Sequence, residues 1–213
     1  LLVMGPDCGT SIVNGVGLGF ANAVRRGPIG LVGASGTGLQ LVTARIHQLG
    51  GGITHALGTG GRDLSEGVGA VTALQALDLL CRDPDTRVIV LLSKPPARRV
   101  AEQLIAAARA SGKLVVVDFI GYRPGEPARG ERTGGNVYFV PTLDAAAELA
   151  VKLAGLEIGS AELRSSLFAP GEYWMAVAHS TSAAGTAGAV LNISNVIATV
   201  QTYKPVGTAT NAA

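Results

Sequence analysis

Between Pro28 and Gly155 apolar runs alternate with amphipathic stretches in a regular order. Ile29–Gly33 is a short buried run ending in glycine. From about Gly36 to Leu49, Leu39, Val42, Ile46 and Leu49 recur at three- and four-residue steps, the period of a helix with one apolar face. Ile53–Leu57 predicts a second strand, closed by Gly58-Thr59-Gly60-Gly61. A second helix is predicted to open near Ser65-Glu66, with Val68, Val71, Leu74, Leu77 and Leu80 on one face, and to stop at Asp83-Pro84. Arg87–Leu92 reads as a third strand, Arg98–Ala110 as a helix, Leu114–Phe119 as a fourth strand, Asn136–Val140 as a fifth, and Thr142–Leu153 as a last helix.

Strands that are apolar throughout, each followed by an amphipathic helix, predict a parallel sheet covered on both faces. The expected fold is therefore α/β, a flavodoxin-like doubly wound parallel sheet over residues 28–156. Residues 1–27 read as a turn-rich lead-in with little periodicity, and 157–213 as a separate Ser/Thr-rich β segment. Ligands bind at the carboxyl ends of the strands in such sheets. That selects the loops Gly33–Gly38, Gly58–Asp63, Ser93–Ala97 and Phe119–Gly135.

Composition sharpens the division. Of the charged side chains, only Glu172 and Lys204 fall after residue 164, so the tail is of a different character. A net charge of +2, without a Lys/Arg run, gives no footprint for nucleic acid. Cys8 and Cys81 are isolated thiols in a chain of domain size, which predicts a reducing compartment rather than a disulfide framework. No stretch reads as a signal peptide or a membrane span, so a cytoplasmic protein with no membrane partner is expected. Because Leu1 opens inside an apolar run, the chain is expected to be cut from something longer.

Gly33-Ala34-Ser35-Gly36-Thr37-Gly38 joins a strand to a helix. A helix N-terminus offers unpaired N–H groups and partial positive charge, so Ser35, Gly36, Thr37 and Gly38 form a candidate phosphate site. An equally weighted alternative makes Ser35 or Thr37 only an N-cap. Gly60, Gly61 and Arg62 follow the second strand, where Arg62 could supply a charge-assisted contact or could merely pair with Asp63. Lys94, after the third strand, adds a cation to the same rim or is a solvated loop lysine. A dinucleotide fingerprint is disfavoured, because Thr54, His55 and Leu57 stand where an acidic residue is expected. His47 reads as a helix flank, His55 as packed, and His179 falls in the tail; two Cys and three His so scattered give no metal-ligand spacing.

At these loops the chain resembles a known family. Met4-Gly5-Pro6-Asp7-Cys8-Gly9-Thr10 is similar to the segment that closes the CoA-binding domain of succinyl-CoA synthetase α-type proteins. Gly30–Thr37 resembles their strand–SGT–helix, and Gly58-Thr59-Gly60-Gly61 their G-x-G-G turn. The strings MGPDCGT, RRGPIG, VGASGTGLQ, GTGGRDLS and SKPPA resemble the hallmark text of the FdrA branch, over Leu1 to about Leu156. The resemblance implies a ligase-type domain at 28–156 and a CoA-binding domain upstream of Leu1, of which 1–27 is the remnant. It further implies CoA or an acyl or carbamoyl phosphate as ligand and a homo- or hetero-oligomer with a second subunit. Carbamoyl transfer to oxamate in ureide breakdown is the implied reaction, with Arg62 and Lys94 as catalytic cations. The family's phosphohistidine loop has no histidine between Tyr122 and Gly135 here. Two alternatives to an enzyme follow: a non-catalytic phosphate-ligand module, and a structural element carried by the tail, which looks somewhat like phage-tail segments.

Overall fold

The structure is a computed structural model and describes residues 4–122 and 135–156. The chain divides into two compact units, Leu1–Ala161 and Glu162–Ala213, and every described residue lies in the first. The expected β-rich tail and the loop that lacks the family histidine lie outside the described residues, apart from the loop's two ends.

Seven strands form one sheet in the order β2-β1-β4-β3-β5-β6-β7. Strands β3 (Arg26–Ala34), β4 (Ile53–Gly58), β5 (Val88–Ser93), β6 (Leu114–Phe119) and β7 (Val137–Phe139) are parallel. Numbered among themselves they run 2-1-3-4-5, the flavodoxin-like doubly wound order, with its switch point between β3 and β5. The apolar strand runs are apolar because both faces are covered. Val32, Leu91 and Val117 pack beneath α2 (Val71–Arg82) and α3 (Arg98–Ala110), while Leu31, Val90 and Val116 pack beneath α1 (Gly36–Gln48) and α4 (Leu143–Leu153). In parallel α/β units each helix returns against its strand, so the N-termini of α1 and α4 stand at the carboxyl edge of the sheet.

Two elements differ from the sequence expectation. The lead-in is not element-free: β1 (Ser11–Val13) and β2 (Val16–Gly19) form a hairpin, and β1 pairs antiparallel with β4. Its turn is Asn14-Gly15, both at positive φ, the combination a two-residue turn of matching twist requires. Helix α2 starts at Val71 rather than near Ser65. Residues Arg62 to Ala70 form turns instead, with Ser65 N–H donating to the Arg62 carbonyl and Ala70 N–H to the Asp63 carbonyl.

Candidate functional site

Ser35 follows β3 in extended conformation and caps α1, its Oγ accepting from Gly38 N–H at 3.2 Å. The cap consumes one of the orphan donors of the first turn. Among the described residues, the N–H groups of Gly36 and Thr37 have no partner. Ser35 is therefore the cap, and the cap leaves the Gly36 and Thr37 donors at the switch point without a partner among the described residues.

A cleft of about 230 Å³ opens there, bordered by Gly36, Thr37 and Gln40 of α1, Lys94 after β5, Asp7–Thr10 and Phe20. Of the residues selected from sequence, the structure brings Gly36, Thr37 and Lys94 together at this cleft. Ser35 and Gly38 support it through the cap. Gly61 lies just outside, its Cβ direction aimed at Asp7 Oδ2 (3.1 Å) and Lys94 Nζ (3.5 Å).

Gly60 is buried beneath the 5–8 segment: a Cβ there would stand 2.5 Å from the Pro6 carbonyl oxygen, and its φ is +92°. A Cβ on Gly58 would similarly meet Cys8 Sγ at 2.1 Å. These two glycines leave room for the lead-in to cross the end of β4. Arg62 is exposed and does not border the cleft. The ion pair considered with Asp63 is not formed, because Asp63 is buried and its carboxylate accepts from Thr72 N–H (3.0 Å) and Ala73 N–H (2.8 Å) at the start of α2.

Residues that the sequence reading did not assign to the site are Asp7, Cys8, Thr10, Phe20 and Gln40. Thr10 is buried and its Oγ1 donates to the Gly36 carbonyl at 3.2 Å, fastening the lead-in to the first turn of α1. Asp7 puts a carboxylate on the wall opposite in charge to Lys94. An anion in this cleft would meet backbone donors and an ammonium, while any N–H or O–H it carries has Asp7 as acceptor. The Gly5–Gly9 turn signals next to Ile12-Val13-Asn14-Gly15 are the feature from which this contribution could have been read.

Of the three histidines, His47 and His55 accept backbone hydrogen bonds, and His179 lies outside the described residues. His47 Nδ1 accepts from Arg25 N–H at 3.0 Å, and burial, then the Arg25 charge, hold its pKa below the usual 6.5. His55 Nδ1 accepts from Asn14 N–H at 3.2 Å, with Nε2 3.4 Å from Asp83. Asp118, at the end of β6, is buried, and loss of solvent pushes its carboxyl up to about 6. Among the described residues no group of His, Cys, Asp and Glu could hold a metal ion, and no helix is long and apolar enough to cross a membrane.

Residues 24–121 match the family model of the CoA binding domain. That stretch runs from just before β3 to just after β6 and contains Gly36, Thr37 and Lys94, in the region the sequence reading gave to a ligase-type domain. Uncharacterized protein YahF of Escherichia coli (strain K12) is 58% identical over 120 residues, covering 56% of this chain and 23% of YahF. The chain thus spans about a quarter of that relative's length. Among solved structures, the dinucleotide-forming acetyl-coenzyme A synthetase 1 of Ca. Korarchaeum cryptofilum, in complex with phosphate and ADP, is 18% identical with a TM-score of 0.48, over 78% of this chain and 31% of that one. ATP citrate lyase from Methanothrix soehngenii, in complex with citrate and coenzyme A, is 18% identical with a TM-score of 0.48, over 97% of this chain and 36% of that one.

Proposed function

We propose that the switch-point cleft binds the phosphate end of CoA or of an acyl or carbamoyl phosphate, as the ligand site of an acyl-CoA synthetase-type protein. The observation that carries this reading is the pair of unpartnered N–H groups at Gly36 and Thr37, with Lys94 beside them, inside the stretch that matches the CoA binding domain family. Backbone donors and an ammonium that line one cleft can stabilise charge on phosphoryl oxygens without reorganising. Asp7 offers an acceptor for the amide of a carbamoyl group. On this reading the family resemblance extends the chemistry to carbamoyl or acyl transfer, with oxamate as an acceptor in ureide breakdown and a second subunit completing the enzyme.

A second reading, binding without turnover, is favoured by a cleft whose lining, among the described residues, contains no histidine. Titration calorimetry with CoA, acetyl phosphate, carbamoyl phosphate and inorganic phosphate tests the shared core of both. Saturable binding of at least one is expected, weakened about tenfold by Lys94→Ala through the loss of a charge-assisted contact. Arg62→Ala is expected to leave the affinity within about twofold, the range of a surface charge away from the ligand. Absence of saturable binding to any of the four would sink the reading. Release of phosphate from carbamoyl phosphate in the presence of oxamate separates transfer from binding alone.

A further inference from the structure

We infer that Phe20 is an aromatic platform on the open side of the cleft, recognising the planar base of a nucleotide-type ligand whose phosphate sits at the N-terminus of α1. The inference rests on the phosphate reading above and extends it from an anion to a base-bearing one.

Phe20 borders the same cleft as Thr37, Gln40 and Lys94, yet it is 80% exposed. A lone exposed aromatic needs no explanation. This one is held in place. Its backbone has φ +38°, in the left-handed region that bulky residues avoid. The conformation is fastened from α1: Gln40 Nε2 donates to the Phe20 carbonyl at 2.8 Å, and Asn22 Nδ2 donates to the Gln40 carbonyl at 2.6 Å. On its other side the ring rests on bare backbone, for a Cβ on Gly9 would stand 2.5 Å from Phe20 Cδ2.

The hairpin's other exposed apolar residues, Val13, Val16 and Leu18, do not border the cleft. Phe20 therefore has an anchored backbone at the cleft, a ring resting on Gly9 and a largely uncovered outer face. An anchored side chain loses less entropy when a ligand stacks on it than a free one, and base–aromatic stacking tolerates any base with a π-face. Size points the same way. A cleft of about 230 Å³ accommodates a phosphate group but not the whole of CoA, so the rest of such a ligand must lie across the rim that Phe20 and Gln40 form.

Calorimetry with three probes tests this: CoA, 4′-phosphopantetheine (which lacks the adenine together with its phosphorylated ribose) and inorganic phosphate. The wild-type chain is expected to bind CoA at least about tenfold more tightly than 4′-phosphopantetheine. Phe20→Ala and Phe20→Leu should weaken CoA by about tenfold, the scale of one stacked base, and leave the two smaller ligands unchanged. Phe20→Trp should keep the preference; circular dichroism checks that each variant is folded. Equal affinity of the wild type for CoA and 4′-phosphopantetheine overturns the platform while leaving the phosphate site standing. So does a Phe20→Leu variant that retains the wild-type preference, or a Phe20→Ala variant that weakens all three probes alike. Failure of a folded wild-type chain to bind any probe removes the phosphate reading and the platform with it.

Discussion

A carboxyl taken out of water resists ionisation, and burial is the cause that acts on Asp118. It is 4% exposed, and that burial raises its pKa from 3.8 to about 6. The free chain releases this proton near pH 4, whereas the folded chain keeps it until near pH 6. The stability Asp118 contributes through its bound proton is therefore complete below about pH 4 and is lost as pH rises through 6. Above that, the ionised side chain costs on the order of 3 kcal/mol relative to its neutral form. Asp118→Asn removes the ionisation while conserving shape. Urea unfolding at pH 7 should show the variant more stable than the wild type by about 1–3 kcal/mol, and at pH 4 the two should coincide. A gain of the same size at both pH values would mean that the effect comes from packing and not from the buried charge.

At the scale of the element, α2 shows how a helix start can be hidden from its own sequence. Ser65-Glu66 has the composition of an N-terminus, but Gly67, Val68 and Gly69 follow it, and Ala70 at the true N-cap has φ +60° and no side chain to cap with. The capping group is Asp63, seven residues upstream of the cap, folded back onto the N–H groups of Thr72 and Ala73. Asp63→Ala should lower stability by about 1–2 kcal/mol, as loss of a helix cap does, and should speed hydrogen exchange at the Thr72 and Ala73 amides before any other part of α2. Unchanged exchange there would deny Asp63 its capping role. Helices α1, α3 and α4 were legible because each buries one face, so the 3.6-residue period survives in the sequence. The β1–β2 hairpin was not, because Val16 and Leu18 face solvent and its Asn14-Gly15 turn sits among three other turn signals. Half of the cleft was legible for a related reason. Gly36, Thr37 and Lys94 follow parallel strands directly, where the fold class dictates a ligand edge. Asp7, Thr10 and Phe20 reach the same place through the antiparallel pairing of β1 with β4, a contact between segments about 45 residues apart whose partner and register the lead-in's own turn signals do not specify.

For the molecule as a whole, this makes one wall of the cleft a separately attached piece. The segment from Thr10 to Arg25 contributes Thr10 and Phe20 to the cleft, and at two points it is tied to the doubly wound body through imidazoles that accept backbone hydrogen bonds. Asn14 N–H donates to His55 Nδ1, whose Nε2 faces Asp83. Arg25 N–H donates to His47 Nδ1, and the Arg25 guanidinium continues to the carbonyls of His47 and, at 3.1 Å, Gly51. A nitrogen that accepts cannot also carry a proton, so the His47 tie requires its Nδ1 to stay unprotonated. For His47, burial first and Arg25 second hold the pKa below 6.5, so the tied form binds a proton less readily than the released one. The tie is therefore at full strength above pH 6.5 and weakens as pH falls through the lowered value. Hydrogen exchange at the Arg25 amide, corrected for its intrinsic pH dependence, should lose protection between pH 7 and pH 5, while the amides of β5 and β6 keep theirs. His47→Ala should show the unprotected rate at Arg25 already at pH 7, with no further change on acidification. Protection at Arg25 that is identical at pH 5 and pH 7 in the wild type would mean that the β1–β4 ladder, and not the imidazole, holds this wall of the cleft in place.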